Sequence, residues 1–264
     1  MSTPAKNPTP ASTTSVKSAD RVLQILEILA GGPAEFTASQ LATRTGIPRS
    51  SLHGLLQTLL NRSWVEETPG GGYALAPTAL TVGVSYLDHD RAVSRATTAL
   101  ERARDRLGHT VNLARLIDRD VVYLAIREGP DRRNMPSRLG RRVPAFATAL
   151  GQVLLAELGV DEAQNIVEHS RRAPLTPHTT TEVDALMAQI SFAREHGYSA
   201  ERGQTLSDVA CVAVALPYRM PATDAISCSM PIGEASEETF AEVAKVLQEE
   251  ATNVARELRQ LGVR

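Results

Sequence analysis

Apolar residues recur at three- and four-residue spacing in three runs near the start of the chain, and each run predicts one amphipathic helix. The first helix is capped by Ser18 and stops at a Gly-Gly-Pro sequence. The second is capped by Thr37 and ends at Gly46, which permits the left-handed backbone of a tight turn. The third opens at Pro48 and runs to about residue 61. Short helices in this order around a tight turn predict a helix-turn-helix.

The exposed face of the third predicted helix is polar and nearly uncharged, whereas leucines fill its inward stripe. The outward positions are Ser50, Gly54 and Gln57, flanked by Arg49 and His53. An ordinary solvated helix more often carries Glu and Lys there. Hydrogen-bonding side chains near a helix N-terminus are what base edges and phosphates require, so this face predicts a contact with DNA.

A β-hairpin is predicted directly after the third helix. Residues 64–67 and 73–75 have strand composition and flank a Thr-Pro-Gly-Gly-Gly tip. The order of helix, helix, glycine turn, polar-faced helix and hairpin predicts a winged helix-turn-helix DNA-binding domain over residues 16–77. The alternative is a small structural three-helix domain in which these features coincide by chance.

The remainder of the chain changes from helical to mixed periodicity. Residues 78–107 keep a helical period and predict linker helices, whose apolar stripes pack against their own domain or against a partner. Strands are predicted at 111–117, 121–126, 210–216 and 225–230. Helices are predicted at 148–158, at 161–169, from a capping box of Thr181 and Asp184 to 196, and from Ser236 onward. The fold class is therefore α+β with two domains, the second covering residues 108–264.

Length, charge and cysteine content limit the class of protein. The 264 residues suit two domains, and a net charge of −2 leaves DNA binding to a local surface. Residues 1–15 are rich in Pro, Ser and Thr and predict a disordered tail. Cys211 and Cys228 lie in apolar runs, as buried thiols in a reducing cytosol do. The chain has no apolar run of about 18 residues and no signal-peptide core, so we expect a soluble cytoplasmic protein with no membrane partner.

Sequence motifs of catalysis and metal binding are missing. The six histidines show no HxH or HExxH spacing, and no GxSxG, P-loop or GxGxxG sequence is found. We therefore expect no catalytic residue, no metal site and no cofactor. Two alternatives remain open: a DNA-tethered enzyme, for instance with His109 paired to Cys211, and a DNA-binding protein that responds to no ligand. The size of the second domain argues against the latter.

Three stretches of the first domain resemble the IclR-type family of bacterial transcription regulators. They are DRVLQILEILA at 20–30, LATRTGIPRSSLHGLLQTL at 41–59 and YALAP at 73–77. The resemblance implies a recognition helix at about 48–61. The residues expected to contact DNA are Thr37, Arg49, Ser50, Ser51, His53, Gln57 and Arg62. Gly54 stands where members commonly have Arg, and either lets the backbone approach the groove closely or reflects drift at a dispensable position.

The resemblance continues over the second domain. It rests on TVNLA at 110–114, GRRVPAFATALG at 140–151, GYS at 197–199, VACVA at 209–213 and SCSMP at 227–231. It implies a GAF-like effector-binding domain whose pocket takes a small organic acid or a related metabolite. The residues expected to line this pocket are Asn112, Arg141, Phe146, Ala147, Ala149, Leu150, Glu201, Cys211, Ser227 and Ser229.

Single residues refine the expected effector. Ser227 and Ser229 are two positions apart on a predicted strand, so they share a face and offer paired hydroxyls to a carboxylate. Phe146 replaces a common His or Cys of the family, which favours an aromatic or branched-chain acid. The loop 131–142 either attracts an anionic ligand, forms subunit contacts or is simply solvated. Its arginines are Arg132, Arg133, Arg138, Arg141 and Arg142.

The sequence thus predicts a transcription regulator, a repressor by default, whose affinity for a double-stranded DNA operator is controlled by a small-molecule effector. The resemblance implies a homodimer or a dimer of dimers, which places two recognition helices in successive major grooves. Repression or activation, and dimer or tetramer, stay open at this point.

Overall fold

The computed structural model describes residues 16–130 and 138–263. The chain divides into two compact units, Met1–Ser85 and Tyr86–Arg264. The predicted tail and two of the loop arginines, Arg132 and Arg133, lie outside the described residues. The first unit combines helices with a small hairpin, and the second combines helices with a larger sheet, so the predicted two-domain α+β class is confirmed.

Three helices and a hairpin form the first unit, as predicted. They are α1 (Lys17–Gly31), α2 (Ala38–Thr45), α3 (Arg49–Asn61), β1 (Val65–Glu67) and β2 (Tyr73–Leu75), the two strands being antiparallel. Leucine and isoleucine side chains from all three helices form the core together with Phe36 and Val65. The turn from α2 to α3 is tight because Gly46 adopts a φ of 67°.

The first two helices differ in how they begin. Thr37 caps α2, as predicted: its hydroxyl accepts from the Gln40 amide at 3.3 Å, while the Gln40 side chain accepts from the Thr37 amide at 2.8 Å. The prediction that Ser18 caps α1 is wrong. The helix already begins at Lys17, so Ser18 lies inside the first turn, and Val16 at the cap position has no side-chain acceptor.

Two helices occupy the predicted linker. α4 (Pro77–His89) contains the boundary between the two units and buries none of its residues. α5 (Arg91–Leu107) belongs to the second unit, where Ala96, Leu100 and Ala103 are fully buried. The apolar stripe of α5 therefore packs against its own domain, which is one of the two interpretations that the sequence left open.

A six-stranded antiparallel sheet is the centre of the second unit. Its strands are β3 (Thr110–Ile117), β4 (Asp120–Arg127), β5 (Arg142–Pro144), β6 (Ser199–Arg202), β7 (Val209–Ala215) and β8 (Asp224–Pro231). They lie in the order β5-β4-β3-β8-β7-β6. The pairing of β3 with β8 places Asn112 opposite Ser227, although 115 positions separate these residues along the chain.

Helices cover both faces of this sheet. α5 and α9 (Glu237–Gln260) pack on one face, around Leu100, Phe240 and Leu247. The other face carries a 3-10 helix (Ala145–Ala147), α6 (Ala149–Glu157), α7 (Val160–His169) and α8 (Val183–His196). In the ranges that the structure describes, no helix is long and apolar enough to cross a membrane.

The second unit departs from the predicted elements in two respects. The edge strands β5 and β6 are absent from the sequence prediction, because runs of three or four residues carry too little periodicity and depend on pairing with a neighbouring strand. The predicted capping box of Thr181 and Asp184 is wrong. Helix α8 begins only at Val183, after Glu182 in an extended conformation, and no side chain caps it.

Candidate DNA interface and effector site

The outward face of α3 is exposed, and its side chains have no partner among the residues that the structure describes. Leu52, Leu56 and Leu59 are buried in the helical core. This orientation exposes Arg49, Ser50, Ser51, His53 and Gln57. Within the described part of the chain, none of these five outward side chains makes a hydrogen bond or an ion pair. They therefore have no evident structural role and are available to base edges and phosphates.

Gly54 lies at the centre of the same exposed face. A Cβ atom placed on it would meet no heavy atom within 4 Å. No neighbour in the described structure therefore requires a glycine here, although glycine inside a helix costs about 1 kcal/mol relative to alanine. The two interpretations of Gly54, close approach to DNA and drift, both stay predictions.

Two further predicted DNA contacts lie at helix ends. Thr37 is exposed, but its hydroxyl is already bonded to Gln40, so this residue fixes the start of α2. Arg62 is exposed and directly follows α3. Arg49 and Arg62 thus place one cation at either end of α3, where contacts to DNA phosphates orient a recognition helix.

Five of the predicted effector contacts lie on one face of the large sheet. Strand register sets Glu201 opposite Cys211, and Cys211 opposite Ser229. It also sets Asn112 opposite Ser227. Register partners in an antiparallel sheet project to the same side, as do residues two positions apart on one strand. These five side chains, called the sheet cluster below, therefore share the face that α6 and α8 cover.

Hydrogen bonds connect the sheet cluster. The Asn112 amide nitrogen donates to the hydroxyls of Ser227 at 3.4 Å and Ser229 at 3.3 Å, and the Cys211 thiol lies 3.3 Å from the Ser229 hydroxyl. Two buried atoms of the cluster, Asn112 Oδ1 and Glu201 Oε1, have no hydrogen-bond partner in the described chain. Unpaired buried polar atoms are rare and costly, so two of them on one covered face of the sheet make this face the candidate ligand site.

The carboxyl group of Glu201 is the ionisable centre of the sheet cluster. Burial raises its pKa to about 7, while the hydrogen bond from the Gln204 amide and the proximity of the Cys211 and Thr205 side chains act to lower it. The side chain is only 3% exposed. Near neutral pH this carboxyl therefore changes readily between its neutral and ionised forms.

Four further predicted contacts come from the segment formed by the 3-10 helix and the first turn of α6. Phe146, Ala147, Ala149 and Leu150 are buried in the core against which Cys211 packs. This close packing depends on Gly151, because a Cβ atom there would lie 2.1 Å from the Ala145 carbonyl oxygen. The segment thus supplies the apolar side of the candidate effector site.

The structure adds two residues that the sequence prediction omits. Tyr123 lies on β4, on the same face as the sheet cluster, and burial raises the pKa of its hydroxyl. Gln152 in α6 is fully buried and donates to the Phe146 carbonyl at 3.1 Å. Alternation along β4 would have assigned Tyr123 to one sheet face, but strand pairing is needed to decide which face holds the polar residues.

Arg141 lies beside Tyr123 at the margin of this site. Its carbonyl accepts from the Tyr123 amide at 3.1 Å, and its charge lowers the Tyr123 pKa against the effect of burial. Arg141 and Cys211 are partly exposed, so the site meets solvent on their side. Among the other loop arginines, Arg142 pairs with Asp120 at 3.1 Å.

Among residues 16–130 and 138–263, no three of His, Cys, Asp and Glu lie close enough together to hold a metal ion. His109 pairs with Glu234 at 3.3 Å rather than with Cys211. Cys228 is buried as predicted and Cys211 is partly exposed. Burial raises the pKa of the Cys228 thiol to about 12 and that of Cys211 above its usual value, so both are protonated at neutral pH.

The first unit is a winged helix-turn-helix whose third helix exposes side chains that have no partner among the described residues, and the second unit is an α/β domain. This combination is typical of a DNA-binding regulator of transcription. Comparison with known proteins then gives the family. Residues 18–69 match the IclR helix-turn-helix domain, and residues 84–256 match the C-terminal domain of bacterial transcriptional regulators of the IclR type. The chain belongs to the IclR family of transcriptional regulators.

Relatives of known function or structure agree with this assignment. The chain is 33% identical over 203 residues to the HTH-type transcriptional regulator XynR of Escherichia coli, which covers 75% of this chain and 79% of that protein. It is 28% identical to the regulator KdgR of the same organism, over 92% of this chain and 93% of KdgR. An IclR homolog from Microbacterium hydrocarbonoxydans, solved in complex with 4-hydroxybenzoate, has the same fold, with a TM-score of 0.75, 23% identity and coverage of 92% and 99%.

Proposed function

We propose that this regulator is a repressor whose operator affinity is controlled by a small organic acid, and that it acts as a homodimer or a dimer of dimers. DNA binding is assigned to residues 16–77, dimer contacts to 78–107 and effector binding to 108–264. The observation that carries the proposal is the sheet cluster, in which two unpaired buried polar atoms lie among paired serine hydroxyls. A domain that only positions DNA-binding units has no need of such a site.

The chemistry of the site favours an acid with an apolar body. Ser227 and Ser229 offer hydroxyls to a carboxylate, and Arg141 adds a positive charge at the margin. The buried side chain of Phe146 supplies an apolar surface on the helix side. An aromatic or branched-chain acid therefore fits, and the 4-hydroxybenzoate complex of the Microbacterium homolog supports an aromatic one.

A charged cluster connects the two strands of this site with the end of α4. Arg115 and Asp224 are register partners on β3 and β8, each three positions from a residue of the sheet cluster. Arg115 also donates to the Asp90 carboxylate at 2.6 Å and to the Tyr86 hydroxyl at 2.5 Å. We infer that a shift of β3 or β8 on effector binding reaches α4 through these bonds and changes operator affinity.

The lowered pKa of Asp90 reflects the hydrogen bonds that this residue accepts at the start of α5. Burial acts to raise that pKa, but the hydrogen bond from Arg115 and those from the Val93 and Ala92 amides outweigh it, so the net pKa is lowered. Asp90 caps α5 through these two amides. Arg115 therefore ties the first turn of α5 and the last turn of α4 to the sheet.

The exposed apolar side chains of α4 are the surface that we assign to dimer formation. Leu80 is 69%, Val82 53% and Val84 42% exposed, in a helix that buries none of its residues. Apolar residues of this size on one exposed helix are typical of an interface. A second copy of this chain is the proposed occupant, because a twofold DNA site requires two recognition helices.

Effector binding is tested by thermal unfolding of the full chain with a panel of aromatic and branched-chain acids. We expect at least one acid to raise the midpoint temperature in a concentration-dependent manner, since a ligand that binds only the folded state stabilises it. Ligand recovered after long incubation should be unchanged, because a sensor does not turn over its effector. A panel without any stabilising acid would contradict the proposal, and a converted ligand would favour the DNA-tethered enzyme.

A further inference from the structure

Glu201 occupies the outer end of the sheet cluster, on the edge strand β6. Its Oε2 accepts a hydrogen bond from the Gln204 amide at 2.7 Å. Its Oε1 is equally buried and has no partner in the described chain. Strand register sets Glu201 beside Cys211 on β7, and Ser229 lies on β8, the next strand, within the site proposed for the effector. One oxygen of this carboxyl is thus bonded, and the other is left for a ligand.

Neutral groups surround Glu201 on the elements that pack against it. From β7 it faces the Cys211 thiol, which stays protonated, and from β4 the Tyr123 hydroxyl, whose pKa Glu201 itself raises. Helices α6 and α8 present the amides of Gln152 and Gln189, which are bonded to each other at 2.8 Å. None of these groups compensates a negative charge in the way that a cation does.

Charged and titratable groups near β6 are engaged elsewhere. The Arg202 side chain pairs with Glu237 at 2.6 Å and lies over the Phe240 ring, on the opposite face of the sheet. His178 is exposed, and its ring lies 3.1 Å from the position that a Cβ atom on Gly203, in the turn after β6, would take. Arg141 acts on Tyr123, and it is not among the groups that shift the Glu201 pKa in the described structure.

We propose that Glu201 binds the effector's carboxylate as a neutral acid, donating a hydrogen bond from Oε1–H, so that binding takes up one proton from solvent. This inference rests on the proposed function, in which the effector is an acid. An ionised Glu201 would repel the carboxylate, whereas the protonated form supplies the missing donor. Oε1 is the oxygen that carries the proton, because Oε2 already accepts the Gln204 amide. The bond that forms is the O–H bond between the proton taken up and Oε1, and no bond of the effector breaks.

The sign of the resulting pH dependence follows from the Glu201 pKa of about 7 without ligand. A neighbouring carboxylate raises that pKa further in the complex. The affinity for the acid is therefore at its maximum below about pH 7. Above that pH it falls by about tenfold per pH unit, until the pH reaches the raised pKa of Glu201 in the complex. An effector that instead donates a hydrogen bond to an ionised Glu201 would show the opposite dependence.

The test is calorimetric titration of the full chain with 4-hydroxybenzoate and with a branched-chain 2-oxo acid. Titrations at about pH 6 and about pH 8, each in two buffers that differ in ionisation enthalpy, give the number of protons taken up. We expect roughly one proton per site at the higher pH, almost none at the lower pH, and affinity about tenfold weaker at the higher pH.

Two variants separate Glu201 from other titrating groups. Glu201→Gln keeps a donor on a neutral side chain, so it should bind the acid at both pH values without proton uptake. Glu242→Gln, which changes an exposed acid on α9, should retain the behaviour of the wild type. Acid binding by the wild type without proton uptake at about pH 8 would overturn this inference alone, as would unchanged uptake by a folded Glu201→Gln. Absence of acid binding at both pH values would overturn the acid-effector proposal as well.

Discussion

Methionine in place of Arg115 is expected to lower the free energy of unfolding of the second unit by about 3–5 kcal/mol. Arg115 donates to both carboxylate oxygens of Asp224, at 2.5 and 2.6 Å, and Asp224 is 0% exposed. Without the guanidinium, Asp224 would keep a buried negative charge, and hydroxyl groups would be its only hydrogen-bond donors among the described residues. These belong to Tyr218 at 2.7 Å and Thr223 at 3.4 Å. Removal of one partner of a buried ion pair costs more than the pair contributes, because the other charge stays desolvated.

Urea unfolding followed by two signals measures this loss. Trp64 is the single tryptophan and lies in the first unit, so its fluorescence reports that unit, whereas far-UV circular dichroism reports both. We expect the dichroism transition of the second unit to shift to lower urea while the Trp64 transition is retained.

The matched control is Arg127→Met, which removes a partly exposed ion pair. Arg127 donates to Glu101 at 2.9 Å, and the two side chains are 28% and 45% exposed. Exposed pairs contribute little, so the control should lose less than about 1 kcal/mol. If both variants lost the same free energy of unfolding, the burial of Asp224 would not be the reason for the effect of Arg115→Met.

Alanine at both Ser50 and Gln57 is expected to weaken operator binding by at least about 100-fold, since each base contact contributes about 1–3 kcal/mol and a dimer loses it in both half-sites. Both side chains are exposed and have no hydrogen-bond partner in the described chain. Stability should therefore change by less than about 0.5 kcal/mol, and effector binding should be retained. Fluorescence anisotropy of labelled operator DNA at one fixed salt concentration measures the affinity.

Gln24→Ala is the control for this double variant. Gln24 lies on α1 and bonds to Asp20 of the same helix at 3.0 Å, so the same chemical change is made away from the recognition helix. Operator affinity equal to that of the wild type is expected. A double variant that binds operator as tightly as this control would exclude the exposed face of α3 as the recognition surface.

Much of the first unit could be predicted because its signals are local. A few neighbouring residues are enough to recognise leucines at helical spacing, Thr37 as a cap and Gly46 in a turn. The structure confirms all three. The two wrong caps, Ser18 and Thr181, show the limit of such signals. A cap depends on where the backbone leaves the extended conformation, and in the structure that point lies one or two residues from the predicted cap.

The sheet cluster could be predicted only in part. The faces of β7 and β8 follow from alternation, and the resemblance supplied Asn112 and Glu201 as candidates. Strand order decides that one polar face includes residues of β6, β7, β8 and β3. This order pairs residues that are far apart in sequence, so it cannot be predicted from local patterns. Burial of Glu201 and its unpaired oxygen follow from that packing, so neither the raised pKa nor the place of Tyr123 was accessible from the sequence.

The most direct test of the account is operator affinity with and without a bound acid. The full chain is titrated onto DNA from beside its own gene, with a scrambled segment of equal length as control, at fixed salt and with an acid shown to stabilise the protein. We expect specific binding whose dissociation constant changes at least about 5-fold at saturating acid, the lower end of typical coupling between two sites. Specific binding that stays the same when the acid is bound would contradict it, and would identify a DNA-binding protein that no effector controls.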